Sequence, residues 1–128
     1  GQSVPAAQDL VVLPWNDLAL LRAYLEQHAE HTAALIMEPI LCNTGVIQPR
    51  PGYLEGVREL CDRFGVILIF DEVITGFRVA RGGAQEREGV APDLTVLGKV
   101  VGGGLPAAAY AGRRDPLHRL AMFTLSCK

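Results

Sequence analysis

Apolar residues occur along the chain in two patterns, one with helical spacing and one of short continuous runs. Leucines repeat at helical spacing from Leu18 to Leu25 and predict a surface helix that runs to about Glu30. Asn16 stands just before this repeat and is predicted to be the N-cap. A second helix is predicted over residues 54–64, where the apolar side chains mark one face and Gly65 follows at the usual C-cap position.

Short continuous apolar runs alternate with these helices. Residues 33–37 and 66–70 predict two strands that are buried on both faces, and the first of them stops at Pro39. A glycine-rich stretch, residues 71–93, is predicted to cross over the sheet with at most short helices. A third strand is predicted at residues 94–97. A fourth, at residues 107–111, follows so closely that it should run antiparallel to the third.

This order of elements predicts the fold class. Helices that alternate with apolar strands are typical of a mostly parallel sheet with flanking helices, so the chain is expected to be α/β. It has 128 residues and a formal charge of −2, which excludes a strongly basic nucleic-acid binder. No apolar run approaches the roughly 20 residues that a membrane span needs. The chain starts with Gly1 rather than Met, and we expect it to be a fragment or a processed piece.

The cysteines give no sign of a disulfide framework or of a metal site. Cys42, Cys61 and Cys127 are far apart and odd in number, which favours a reducing compartment. We therefore expect a cytoplasmic protein with no metal ligands among these residues.

Two residues of opposite charge follow predicted strands. Asp71 comes directly after the second strand and Lys99 comes two residues after the third. Ligands bind at the carboxyl ends of parallel strands, and both residues are expected there. Pyridoxal phosphate requires a lysine that bonds its aldehyde and an acid that keeps its ring nitrogen protonated. From spacing alone, a structural pair between Lys99 and Asp71 is the alternative.

Four segments carry a resemblance to a known family. They are LIFDEVITGFR (68–78), GVAPDLTVLGKVVGGGLP (89–106), and the upstream MEPI and PGYLEGVRELCDRFGVILIFDE, which begin at Met37 and Pro51. Together they resemble the cofactor-binding core of the class III pyridoxal-phosphate-dependent aminotransferases, over residues 11–115. Within that family, GFRVARGGAQ (76–85) with LGKVVGGGLP is most similar to the aminomutases and their close transaminase relatives.

The resemblance implies a role for four residues. Lys99 is implied to form the Schiff base with pyridoxal phosphate and to shuttle protons, and Asp71 to pair with the pyridine nitrogen. Val73, two residues further along an extended chain, is implied to pack against the ring. Glu38 is implied to lie in the cofactor and substrate pocket, with a solvated strand-end carboxylate as the alternative.

Two further segments are implied to border the site. Gln85 and the turn at residues 102–104 are implied to shape the approach to it, or else to have only structural roles. A nucleotide-binding loop is a remote alternative, because Gly98 and Lys99 lack the Ser or Thr that should follow the lysine.

The resemblance also implies what the intact protein does. Residues 1–128 are expected to be part of the large domain of a fold-type I enzyme, with residues 116–128 an atypical tail that departs from the family pattern. Amino-group transfer on a small amino acid or amino aldehyde is implied, most similar to the aminomutases that serve tetrapyrrole synthesis. The alternatives are another class III transaminase that uses an oxo acid, or a non-catalytic fragment. A homodimer is implied, located in the cytoplasm or a plastid, with no nucleic-acid or membrane partner.

Overall fold

The computed structural model describes residues 8–115, which form one four-stranded sheet with three α-helices. The elements in chain order are α1 (Leu18–His28), β1 (Ala34–Met37), α2 (Tyr53–Phe64), β2 (Ile67–Asp71), α3 (Gly83–Glu88), β3 (Leu94–Leu97) and β4 (Ala109–Gly112). Single turns of 3-10 helix lie at Ala29–His31 and Lys99–Gly102. The predicted tail at residues 116–128 and Cys127 lie outside the described residues.

The sheet confirms the predicted α/β fold class. Its strands are ordered β1-β2-β3-β4, with β1, β2 and β3 parallel and β4 antiparallel to β3. The third strand has the predicted bounds. The second helix ends at Phe64, and Gly65 adopts φ +70° as its C-cap, a conformation that glycine reaches without steric cost.

The hydrophobic core lies between the helices and one face of the sheet. On this face, called here the helix face, Leu68 and Phe70 of β2 are fully buried. The helix side of the core contributes residues that share complete or nearly complete burial: Leu21, Leu25, Leu54, Val57, Leu60 and Cys61. This burial of apolar area is the main stabilising contribution to the fold.

The other face of the sheet, called here the open face, is exposed within residues 8–115. Side chains alternate along a strand, so Ile36 and Ile69, which pair in register, point away from the helices. Ile36 is 61% exposed and Tyr110 of β4 is 60% exposed. The prediction that the first two strands are buried on both faces is therefore wrong for the described residues. The helices of residues 8–115 pack on the helix face, which leaves Ile36 of β1 exposed and Ile67 and Ile69 of β2 only partly buried.

The start of α1 also differs from the prediction. Asp17, not Asn16, is the N-cap, since its Oδ1 accepts a hydrogen bond of 2.9 Å from the Leu20 amide. Asn16 has φ +65°, and its side chain turns instead to the loop after β1. There its Oδ1 accepts from the Arg50 amide at 2.9 Å and its Nδ2 donates to the Gln48 carbonyl at 3.3 Å. Asn16 thus ties α1 to that loop.

Two features are absent from residues 8–115. No helix in this part of the chain is long and apolar enough to cross a membrane. No group of three or more His, Cys, Asp and Glu side chains in the same residues could hold a metal ion.

Candidate functional site

Three charged residues lie at the carboxyl edge of the parallel strands. Glu38 follows β1, Asp71 ends β2, and Lys99 comes two residues after β3. The register places Met37 beside Phe70, and Asp71 beside Val96, so the strands end nearly level. The parallel topology therefore brings these three residues to one edge, which is where α/β proteins bind ligands.

Asp71 begins a tight turn that leads to Val73. Its Oδ1 accepts a hydrogen bond of 3.0 Å from the Val73 amide, whereas Oδ2 has no hydrogen-bond donor among residues 8–115. The chain turns at Val73 instead of continuing extended, so the strand alternation that the sequence analysis assumed ends one residue earlier. Oδ2 remains available for a donor from outside this part of the chain.

Val73 links the end of β2 to the lysine. It packs on Gly98, where an added Cβ would lie only 3.2 Å from Val73 Cγ1. Gly98 directly precedes Lys99, so the turn that carries Asp71 and the segment that carries the lysine are in contact. The absence of a side chain at Gly98 permits this close approach.

Lys99 itself has an unusual backbone. Its φ is +46°, in the left-handed region that residues with a side chain seldom adopt, and it begins a turn of 3-10 helix. Such strain is concentrated at functional sites, where it fixes the direction of a side chain. Lys99 is exposed and forms no ion pair within residues 8–115. The alternative of a structural pair between Lys99 and Asp71 is therefore wrong.

Glu38 organises the loop that follows β1. Its Oε2 accepts from the Cys42 amide and its Oε1 from Asn43 Nδ2, both at 3.1 Å. Its carbonyl accepts from Trp15 Nε1 at 3.2 Å. The alternative of a merely solvated carboxylate is wrong, because the half-buried side chain is engaged at both oxygens. Cys42 and Asn43 were not predicted from the sequence as its partners.

Charged residues of three segments influence the pKa of the Cys42 thiol. Burial raises its pKa, and the neighbouring Glu38 carboxylate raises it further, while Arg78 and Lys99 act in the opposite direction. The guanidinium of Arg78 is oriented by a 2.9 Å hydrogen bond from its Nε to the Ile74 carbonyl. Cys42 thus lies within the electrostatic reach of Lys99.

Gln85 lies on the helix face rather than at the approach to Lys99. Its Nε2 donates to Glu72 Oε1 at 3.0 Å and to Thr95 Oγ1 at 3.1 Å. Thr95 pairs with Phe70 and shares its face of the sheet, so the Gln85 side chain that contacts Thr95 lies on the helix face. Glu72, which the sequence analysis did not single out, is buried at the centre of this network.

The donor set fits pyridoxal phosphate. A primary amine, a carboxylate with a free oxygen and an apolar valine lie in adjoining segments at one sheet edge. These are the groups that bond an aldehyde, hold a protonated ring nitrogen and pack on an aromatic ring.

The sequence as a whole identifies the class of protein. It matches the sequence profile of the class-III aminotransferases over residues 7–125, and the chain belongs to this family. The family resemblance stated above is thereby confirmed.

Within the family, the chain is similar to proteins named as aminomutases. The chain is 57% identical over 111 residues to a glutamate-1-semialdehyde 2,1-aminomutase of Syntrophobacter fumaroxidans, with 87% of the chain and 26% of the relative covered. It is 55% identical over 121 residues to a protein of the same name from Pelotomaculum thermopropionicum, with 94% and 28% covered. The chain thus spans less than a third of the length of these curated relatives.

Solved structures confirm the fold. A β-phenylalanine aminotransferase from Variovorax paradoxus is similar with a TM-score of 0.81 at 36% identity, over 92% of the chain and 27% of that structure. A glutamate-1-semialdehyde aminomutase variant from Pseudomonas aeruginosa, in complex with PMP, has a TM-score of 0.78 at 32% identity, over 92% and 25%.

Proposed function

We propose that this chain is part of a pyridoxal-phosphate-dependent enzyme of amino-group transfer and that Lys99, Asp71, Val73 and Glu38 contact the cofactor. The single observation that carries the proposal is the contact between the Asp71 turn and the Lys99 segment through Val73 and Gly98. It brings an amine and an available carboxylate oxygen to one edge of the sheet, in a chain of the class-III family.

Each residue has a defined task in this proposal. When bound, the cofactor supplies an aldehyde that bonds amino groups and a ring that withdraws electrons from the substrate carbon. Lys99 Nζ holds the aldehyde carbon and then moves a proton at the substrate carbon. Asp71 Oδ2 accepts a hydrogen bond from the protonated ring nitrogen, and Val73 packs against the ring. Glu38 lies in the cofactor and substrate pocket, and its carboxylate also holds the loop at residues 42–43.

The reaction we propose is that of glutamate-1-semialdehyde 2,1-aminomutase, in which an amino group moves within a small amino aldehyde to give 5-aminolevulinate. The support is the name shared by relatives that are 57% and 55% identical to this chain. The alternative is a transaminase that passes the amino group to an oxo acid. It is supported by the similarity to the β-phenylalanine aminotransferase structure.

We propose that the 128-residue chain by itself has little or no turnover. The support is its coverage, since it corresponds to about a quarter of the relatives' length. A measurement of aminomutase and transaminase rates with the purified chain tests this. A robust rate with either substrate pair would overturn it.

The assembly and location are proposed from the resemblance. A homodimer in the cytoplasm is the proposal, with a plastid as the alternative location. The free thiols of Cys42 and Cys61 suit a reducing compartment. Sedimentation of the intact protein tests the dimer, and a monomer across micromolar concentrations would contradict it.

Covalent labelling tests the cofactor site directly. The chain has two lysines, Lys99 and Lys128, so the second is a built-in control. The chain is incubated with pyridoxal phosphate, reduced with borohydride and mapped by peptide mass spectrometry. We expect the label on Lys99, lost in Lys99→Ala and retained in Lys128→Ala. Equal labelling of both lysines, or ATP binding without labelling, would overturn the proposal.

A further inference from the structure

Glu72 is a buried carboxylate without a cationic partner among residues 8–115. Only 1% of the residue is exposed, and none of the ion pairs in this part of the chain includes it. A buried carboxylate is costly unless hydrogen bonds compensate for the lost water. Hydrogen bonds must therefore offset the burial of the Glu72 carboxylate at the end of β2.

Those hydrogen bonds tie together the turn after β2 and the start of α3. Oε2 accepts from Thr75 Oγ1 at 2.9 Å and from the Ala84 amide at 2.5 Å. Oε1 accepts from the Gln85 amide at 3.2 Å and from Gln85 Nε2 at 3.0 Å. Both oxygens are fully engaged. Gln85 extends the network to β3 through its second hydrogen bond, to Thr95 Oγ1.

The backbone connects this network to the candidate site. Glu72 lies between Asp71 and Val73, and its amide donates to the Val96 carbonyl at 2.9 Å, which continues the pairing of β2 with β3. Because side chains alternate along a strand, Asp71 points to the open face while Glu72 points to the helix face. Rotation of the strand end that displaced Asp71 would break the hydrogen bonds of Glu72.

We propose that Glu72 is a positioning residue that, with Gln85, fixes the Asp71–Val73 turn from the helix face of the sheet. This inference rests on the proposed function, because Glu72 would hold the Asp71 carboxylate in the orientation that faces the ring nitrogen of the cofactor. Glu72 itself touches neither cofactor nor substrate.

Amide hydrogen exchange of the chain tests the positioning without any cofactor. The Val73 amide reports the Asp71 turn, and the Leu68 amide, bonded to Asp93 Oδ2 at 2.8 Å, reports the other end of β2. We expect Glu72→Gln to accelerate exchange at Val73 about tenfold relative to Leu68, since glutamine offers one acceptor oxygen in place of two. Equal acceleration at both amides would reduce Glu72 to general stabilisation and overturn the inference.

A second variant tests the same network if Glu72→Gln fails to fold. Gln85→Met keeps the main-chain donors to Glu72 but removes the two hydrogen bonds that Gln85 Nε2 donates to Glu72 and Thr95. We expect it to accelerate amide exchange at Val73 less than Glu72→Gln does. Glu86→Gln is the matched control, since Glu86 is an exposed glutamate of the same helix that accepts from the Gly82 amide. An effect of Glu86→Gln at Val73 as large as that of Glu72→Gln would contradict the inference.

A double-variant cycle tests whether Glu72 acts through Asp71. The readout is the pyridoxal phosphate concentration that half-labels Lys99. We expect Glu72→Gln to raise it about tenfold, but to have no further effect in an Asp71→Asn background. The same tenfold rise in both backgrounds would overturn the inference. If the unmodified chain takes no label at Lys99, the proposed function fails, while amide exchange at Val73 still decides the positioning role.

Discussion

At the scale of single residues, the two oxygens of Asp71 have different tasks. Oδ1 accepts from the Val73 amide, and Oδ2 has no donor within residues 8–115. Asparagine can keep the first contact but loses the charge that holds a protonated ring nitrogen. We expect Asp71→Asn to weaken pyridoxal phosphate binding about ten- to a hundredfold, which corresponds to the loss of one charge-assisted hydrogen bond. Titration of Lys99 labelling measures this, and unchanged affinity would remove Asp71 from the site.

The Cys42 thiol gives a second prediction at this scale. Burial and Glu38 raise its pKa above the ordinary value of 9.0, so little reactive thiolate is present at neutral pH. We expect Glu38→Gln to speed alkylation by iodoacetamide near pH 8 and Arg78→Met to slow it, because the two charges act in opposite directions. Rates are measured in a Cys127→Ser background. Cys61 competes little, since burial raises its pKa to about 11. Changes of the same sign in both variants would contradict this electrostatic account.

At the scale of elements, Gly76 determines how the turn after β2 meets β3. A Cβ at Gly76 would lie 2.6 Å from Leu97 Cδ2 and 2.8 Å from the Glu72 carbonyl oxygen, so the turn can approach the strand only without a side chain there. We expect Gly76→Ala to lower the free energy of unfolding by about 1–3 kcal/mol through overpacking. Urea unfolding measures the change, and a loss below about 0.5 kcal/mol would show that the turn shifts freely.

The elements also show how far the sequence could be interpreted. The bounds of β3 and the face of α2 were predictable, because each depends on one local apolar pattern. The position of Asp71 and Lys99 at one edge of the sheet was predictable, because Asp71 directly follows one predicted apolar strand and Lys99 comes two residues after the next. The exposure of Ile36 was not predictable, because a continuous apolar run does not reveal which layers cover it. Glu72 and Gln85 were missed as partners since their hydrogen bonds join segments about a dozen residues apart.

At the scale of the whole molecule, Asp93 joins three elements at the end of the sheet away from Lys99. Its Oδ2 accepts from the Leu68 amide at 2.8 Å and from Arg58 at 2.9 Å, and its Oδ1 accepts from Arg113 at 2.9 Å. Burial alone raises the pKa of Asp93, but the Leu68 amide and the two guanidiniums outweigh it, so the pKa is lowered below 3.8. Asp93 therefore links α2, β2 and the residue after β4 through its charged form.

Because the pKa of Asp93 is lowered in the folded state, the chain is expected to lose stability as the pH becomes acidic. Because the folded state binds the Asp93 proton more weakly than the unfolded state, the stabilisation is fully present above the ordinary value of 3.8 and is lost as pH falls through the folded pKa. We expect Asp93→Asn to cost about 2 kcal/mol at pH 7 and to flatten the acid limb of urea unfolding, because Arg58 loses its buried carboxylate partner and keeps only the exposed Asp62. Asp115→Asn is the control, since that carboxylate contacts Arg113 but is 76% exposed, and its loss should cost little. Equal losses in the two variants, or an unchanged acid limb in Asp93→Asn, would show that Asp93 does not hold the three elements together.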